Sequence, residues 1–252
     1  MNLADGQRSQ PCEIVVCVAE QVRIESRFRG PADSGNGGYS CGVLANFVDP
    51  HAAEVTLRLP PPLGRALTVK ADSDGRAELR DGEALVAEAE AIDELELEIP
   101  DAVSVEEAVA ARAASPMQLD HPYPECFVCG PGRQPGDGLR VTCGPLGKEM
   151  VASPWHVDET IASGGDVPPE ILWAVLDCPG GIAGMLLPDL GVSVLGRLAA
   201  SIYGRVEVGD TCVAIGWPIG REGRKLEAGT AIFSATGEPL AHARATWIEL
   251  KA

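Results

Sequence analysis

The sequence predicts an α+β fold made of two similar halves, each with one apolar helix and several antiparallel strands. Two stretches, residues 37–48 and 166–185, suit buried helices, since both are apolar and lack strand-like alternation. Each is followed by short apolar runs that are separated by turns, which is typical of a strand meander. The 29 glycines and 20 prolines are scattered along the chain, so they punctuate many short elements.

The first half is predicted to contain a strand, a helix and a meander. Residues 1–11 form a polar arm, and residues 15–29 then alternate apolar and polar side chains. A glycine-rich loop leads to Asn36, which is placed to cap the helix that follows. Four strands are predicted after this helix, at residues 54–59, 65–71, 76–80 and 84–92.

A connector separates the halves and sets the predicted domain limits. Residues 95–115 are acidic and alanine-rich and include an amphipathic helix at 103–112, and residues 116–138 are dense in proline and glycine. We therefore expect an N-terminal repeat at 1–100, a linker with a Pro/Gly/Cys-rich segment at 101–138, and a C-terminal repeat at 139–252.

The second half repeats the order of the first. Strands are predicted at 139–143 and 149–155, followed by a loop and by a helix that starts at Pro168-Pro169 and breaks at Pro179-Gly180-Gly181. The closing meander is predicted at 192–208, 211–219, 225–234 and 240–250. Short local echoes support a duplication: residues 64–69 and 209–214 each read as a glycine turn that leads into a strand.

Composition limits the possible partners. The net charge of −17 makes nucleic acid and anionic membrane surfaces poor partners. A phosphate-bearing ligand would need local cations, and the candidates are Arg65, Arg197 and Arg205, although basic residues on strands are more often solvated. No apolar run approaches the roughly 20 residues of a membrane span, and the start carries no signal-peptide core. Eight cysteines are too few for a disulfide scaffold, so we expect a cytoplasmic protein with reduced thiols.

A strand, a helix and a meander able to wrap that helix resemble the hotdog fold, and two copies in one chain resemble a double hotdog. The helix starts also resemble a motif of hotdog acyl-CoA thioesterases of the 4-hydroxybenzoyl-CoA and phenylacetate-pathway type. That motif reads His/Asn-Gly-Gly, six residues, then Asp or Glu. The first half has Asn36-Gly37-Gly38 but Ala45 at the acid position, and the second has Pro168-Pro169-Glu170 but the acid Asp177.

The resemblance implies one composite site per chain. Asn36, Gly37 and Gly38 would form the helix start whose amides polarise a thioester carbonyl, and Asp177 would act as base or nucleophile. Exposed amides at a helix N-terminus stabilise an oxyanion, and an acid in an apolar groove has its pKa raised toward neutrality. Pro169 offers no N–H, so the symmetric site is expected to be lost. Acyl-CoA would be the substrate without any further cofactor, and two such units could pair as a homodimer.

Other interpretations stay open. Asp177 could cap the turn at Cys178-Pro179-Gly180, and Asn36-Gly37-Gly38 could be only a helix start. The protein could also be a non-catalytic hotdog protein that binds acyl groups or a protein partner. A hotdog hydratase is disfavoured, because the sequence lacks the Asp…His pair expected for dehydration.

Cys126-Phe-Val-Cys129-Gly is a second motif. It resembles one zinc knuckle, but a structural zinc site needs four ligands. The nearest other candidates, His121, His156 and Cys143, lie at no standard spacing. A redox pair would be expected at a helix N-terminus, and Pro131-Gly132 disfavours a helix there. The sequence thus predicts no metal site and a packed turn of apolar thiols, with metal binding and redox chemistry as the less favoured alternatives.

Overall fold

The computed structural model describes residues 18–162, 165–187 and 189–251, so the polar arm predicted at 1–11 lies outside the described residues. Three α-helices and one antiparallel sheet of eleven strands make up the described fold. The helices are α1 (Gly37–Ala45), α2 (Val105–Ala113) and α3 (Pro169–Ala183). The strands are β1 (Val18–Arg23), β2 (Ala52–Leu57), β3 (Ala66–Ala71), β4 (Arg76–Asp81), β5 (Ala84–Ala91), β6 (Gly144–Leu146), β7 (Met150–His156), β8 (Ser193–Ile202), β9 (Thr211–Glu222), β10 (Lys225–Ser234) and β11 (Pro239–Glu249). None of the described helices combines the length and the apolar character that a membrane crossing requires.

The strand order repeats between the two halves of the sheet. It runs β1-β3-β4-β5-β2 and continues β8-β11-β10-β9-β7-β6. Without the short β6, the second half read inward from its end runs β7-β9-β10-β11-β8, which matches β1-β3-β4-β5-β2 of the first half. In both halves the strand that follows the long helix lies innermost. These innermost strands, β2 and β8, pair with each other, with Val55 opposite Leu198, so the sheet is continuous across the halves.

The two long helices pack against the sheet and against each other. α1 contacts β2, β4, β5 and β8, whereas α3 contacts β7 to β11. Gly38 and Gly42, one turn apart, line the face of α1 that meets α3. A Cβ on Gly38 would lie 2.5 Å from the Trp173 carbonyl oxygen, and one on Gly42 would lie 2.5 Å from the Glu170 Cα. The close helix crossing therefore depends on the two missing side chains.

The predicted break of the second helix at Pro179-Gly180-Gly181 is wrong, because α3 continues through these residues to Ala183. Pro179 has no amide to donate to the Val175 carbonyl, but this part of α3 is packed against the strands. The Thr230 hydroxyl of β10 donates to the Leu176 carbonyl at 2.7 Å, and Trp247 of β11 packs against Gly180 and Gly181. Tertiary packing thus stabilises a helix that local propensity would end.

The connector forms the predicted helix, whereas the segment that follows the connector differs from the prediction. α2 forms as expected and starts with a capping box, in which Ser104 and Glu107 satisfy each other's backbone amides. The strand predicted at 139–143 is wrong. The amides of Leu139 and Val141 donate to the Phe127 and Val128 carbonyls instead, so this segment holds the Cys126–Cys129 turn. The first strand after it is the short β6.

Candidate active site

The candidate site lies where the N-terminus of α1 meets the middle of α3. The Asp177 side chain on α3 accepts hydrogen bonds at one oxygen, Oδ2, from the Gly38 backbone amide at 2.8 Å and from the Asn36 side-chain amide at 3.0 Å. Its other oxygen, Oδ1, is buried without a hydrogen-bond partner. Asp177 is thus in direct contact with Gly38 and Asn36, which lie 139 and 141 positions before it in the sequence.

Asn36 has two functions at this junction. Its Oδ1 accepts the Tyr39 amide at 2.8 Å, which is the predicted N-cap of α1. This bond fixes the orientation of the side-chain amide, so Nδ2 is presented to Asp177. The oxygen of the Asn36 side-chain amide therefore caps the helix, while its nitrogen donates to the carboxylate.

Burial dominates the electrostatics of Asp177. Only 2% of the residue is exposed, and this desolvation raises the pKa of the carboxyl to about 7. The bond from Gly38 lowers the pKa, proximity to Cys126 raises it, and the bond from Asn36 lowers it. A carboxyl of this kind exchanges its proton near neutral pH, as an acid–base group must.

Three cysteines lie beside this carboxyl. The Sγ atoms of Cys126, Cys129 and Cys178 are all within 4.8 Å of one another, and all three residues are buried. The Sγ atoms of Cys126 and Cys178 are 3.8 Å apart, and Asn36 Nδ2 lies 3.9 Å and 3.8 Å from them. Cys178 was not predicted to lie beside the Cys-x-x-Cys turn, and its position next to Asp177 is the one signal in the sequence that points to it.

The Cys126–Cys129 turn is held over the start of α1 by aromatic and cationic contacts. The rings of Phe28 and Tyr39 stack at 3.9 Å, and Phe127 meets Phe28 edge-on at 4.9 Å. The Arg27 guanidinium lies over the Phe28 and Phe127 rings and donates to the carbonyls of residues 136, 137 and 160. These contacts join the connector to the first half at the candidate site.

Three of the four predicted site residues lie together, and the fourth faces away from them. It brings Asn36, Gly38 and Asp177 together, whereas a Cβ on Gly37 would meet the Leu195 side chain, so Gly37 backs onto β8. The interpretation of Asp177 as a turn cap is wrong, since α3 has no turn at this point and the side chain bonds to α1 instead. At the symmetric position Ala45 is buried, and the Glu170 carboxylate accepts a bond from Asn46 at 3.1 Å.

Other predicted candidates lie elsewhere. Arg65, Arg197 and Arg205 form ion pairs with Asp81, Glu54 and Asp166, respectively. The three residues considered as partners of the Cys-x-x-Cys turn have other contacts: His121 accepts the Tyr123 amide, His156 lies near Thr211, and Cys143 lies near the Ala214 carbonyl.

Comparison with solved structures identifies the fold. The tesB protein of Mycobacterium avium subspecies paratuberculosis matches with a TM-score of 0.59 and 12% identity, over 92% of this chain and 93% of its own. A provisionally assigned thioesterase of Novosphingobium aromaticivorans gives 0.61 and 12%, over 92% and 96%. A provisionally assigned oleoyl thioesterase of Lactobacillus plantarum gives 0.56 and 12%, over 95% and 99%.

At these identities the likeness is one of fold, and it confirms the predicted resemblance to hotdog proteins. No protein-family model and no curated protein sequence matches the chain.

Proposed function

We propose that this protein is a hydrolase of acyl thioesters, with acyl-CoA as substrate and one composite site per chain. The observation that carries the proposal is the bond between Asp177 and the Gly38 amide, because it joins the two motif parts that the sequence divides between its halves. The thioesterase names of the solved structures with the same fold agree with this chemistry.

The proposed reaction uses Asp177 as a general base. The thioester carbonyl takes over the Gly38 N–H, which stabilises the oxyanion as the carbonyl is attacked. The freed carboxylate accepts a proton from water, the hydroxide oxygen bonds to the carbonyl carbon, and the tetrahedral intermediate forms. The carbon–sulfur bond then breaks, and the leaving thiolate takes the proton from Asp177, which releases a carboxylic acid and a thiol.

Substrate binding requires a local opening. Asp177 and Asn36 are each 2% exposed, so the carboxyl does not reach bulk solvent in the described state. The acyl group must displace side chains that cover the α1–α3 junction, and the Gly38 amide must leave Asp177. Asn36 can hold the carboxylate during this exchange, because its bond to Oδ2 is separate from that of Gly38.

The proposed architecture is a double hotdog. The strand order of the two halves, which matches apart from the additional strand β6, and the pairing of β2 with β8 support it, with the repeats in the predicted regions 1–100 and 139–252. In this arrangement α1 supplies the amide and α3 supplies the acid, while the counterpart site has Ala45 in place of an acid.

A panel of acyl-CoA substrates tests the function. The full chain would be assayed with straight-chain acyl-CoAs from acetyl to palmitoyl and with benzoyl-CoA, by detection of the free thiol. Turnover of at least one substrate well above the rate without protein is expected. Absence of turnover across the panel would contradict the proposal.

A non-catalytic binding protein is the second candidate, and the closed site favours it. In the described state the Gly38 amide is already engaged by Asp177, so it is not available to a carbonyl. A binder predicts that acyl-CoA raises the thermal midpoint of the protein while no thiol is released. Thermal stabilisation together with thiol release would support the hydrolase.

A further inference from the structure

The three buried cysteines have the spacing of a metal site. Zinc bound by thiolates has Zn–S distances of about 2.3 Å in a tetrahedral arrangement, which places neighbouring sulfurs about 3.8 Å apart. The Sγ atoms of Cys126 and Cys178 are 3.8 Å apart, and Cys129 Sγ lies within 4.8 Å of both. The cluster is thus close to ligand geometry before any metal is bound.

An N–H donor is directed at the sulfurs. Asn36 Nδ2 lies 3.9 Å from Cys126 Sγ and 3.8 Å from Cys178 Sγ. N–H groups directed at sulfur are the outer-shell contacts that stabilise metal-bound thiolates.

The backbone of the Cys-x-x-Cys turn is also preorganised. The Gly130 amide donates to the Cys126 carbonyl at 2.9 Å, and a Cβ at Gly130 would lie 2.5 Å from that same oxygen. Only glycine therefore fits after Cys129. The amides of Leu139 and Val141 bind the carbonyls of the two residues between the cysteines, so the turn is fixed from both sides.

We propose that Cys126, Cys129 and Cys178 bind one zinc ion. Binding replaces three thiol protons, which pass to the solvent, by three Zn–S bonds. The fourth position of the tetrahedron can be filled by water. The ion would attach the connector turn to α3 directly beside Asp177, so it would be a positioning element at the candidate site. The proposal does not rest on thioester hydrolysis.

Metal content and cobalt spectroscopy test this site. The full chain, produced without a histidine tag and kept reduced, is expected to contain one equivalent of zinc by elemental mass spectrometry. After removal of the zinc, Co²⁺ alone is expected to restore one equivalent and to give a thiolate-to-cobalt charge-transfer band with the visible bands of a tetrahedral site. Removal of the metal is also expected to lower the thermal midpoint.

Variants localise the metal. Cys129→Ser and Cys178→Ser are each expected to lose the stoichiometric zinc, whereas Cys143→Ser, which changes a buried thiol outside the cluster, is expected to retain it. The wild-type cobalt spectrum decides the matter if a cluster variant fails to fold. Absence of both zinc and a cobalt–thiolate band in the wild type would overturn the proposal, as would a disulfide between cluster cysteines in the reduced preparation. Metal content is measured without substrate, so this result is separate from any failure of hydrolysis.

Discussion

The Asp177 carboxyl is subject to opposing influences at the scale of single residues. Burial raises its pKa to about 7, whereas the Gly38 and Asn36 donors stabilise the ionised form. A buried carboxyl with a single engaged oxygen is costly to keep, because its unpartnered atom receives no compensating bond. A buried carboxyl that is costly for stability and contacts the N-terminus of another helix is a strong candidate for chemistry.

Asn36→Ser separates the two functions of Asn36. Serine is an equally good N-cap, so α1 should keep its start, but the bond to Asp177 is lost. Above pH 7, where the carboxyl is ionised, we expect the free energy of unfolding to fall by about 1.5–3 kcal/mol, the usual value for a hydrogen bond to a charged group. Asn36→Ala should cost about 1 kcal/mol more, because the cap is lost as well. Urea denaturation measures both, and a serine variant as stable as the wild type would contradict this role.

At the scale of elements, the site exists because α1 and α3 approach each other closely. Gly42 allows this approach one turn beyond Gly38. We expect Gly42→Ala to destabilise the protein by about 1–3 kcal/mol through overpacking, even though alanine favours a helix. Gly220→Ala is the matched control, since a Cβ there would meet nothing within 4 Å. Equal unfolding midpoints for the two variants would show that the crossing tolerates a side chain.

Thr230 of β10 anchors α3 to the sheet close to Pro179. The Thr230 hydroxyl is buried and bonded to the Leu176 carbonyl. Thr230→Val keeps the shape but leaves that carbonyl without this partner, so a loss of about 1–3 kcal/mol of unfolding free energy is expected. Thr56→Val, which removes an exposed hydroxyl bonded to Arg197, should cost much less. A Thr230 variant no more affected than the Thr56 variant would contradict this anchoring role.

At the scale of the whole molecule, the two halves share one sheet and one helix contact. β2 pairs with β8 and α1 packs on α3, so neither half can lose its structure without exposing the core of the other. We expect one cooperative unfolding transition, with coincident urea curves from tryptophan fluorescence and far-ultraviolet circular dichroism. Two separated transitions would indicate that the halves are stable independently.

Local features of the chain could be predicted from sequence, and long-range ones could not. The Asn36 cap, the starts of both long helices and the meander strands follow from periodicity and turn residues, which act over a few positions. α3 passes through Pro179 while bonded to Thr230, about 50 positions away, and the segment at 139–143 forms backbone bonds to the cysteine turn instead of a strand. The contact between Cys178 and Cys126 likewise joins residues 52 positions apart.

The central claim is that Asp177 acts on a thioester bound at the start of α1, and Asp177→Asn tests it most directly. Asparagine can still accept the Gly38 amide, so the fold should persist while the base is lost. We expect kcat on the best acyl-CoA of the panel to fall by about 10²–10⁴-fold. The matched control Glu170→Gln, a carboxylate on the same helix that contacts Asn46, should leave kcat unchanged. A folded Asp177→Asn variant with wild-type kcat would contradict the account.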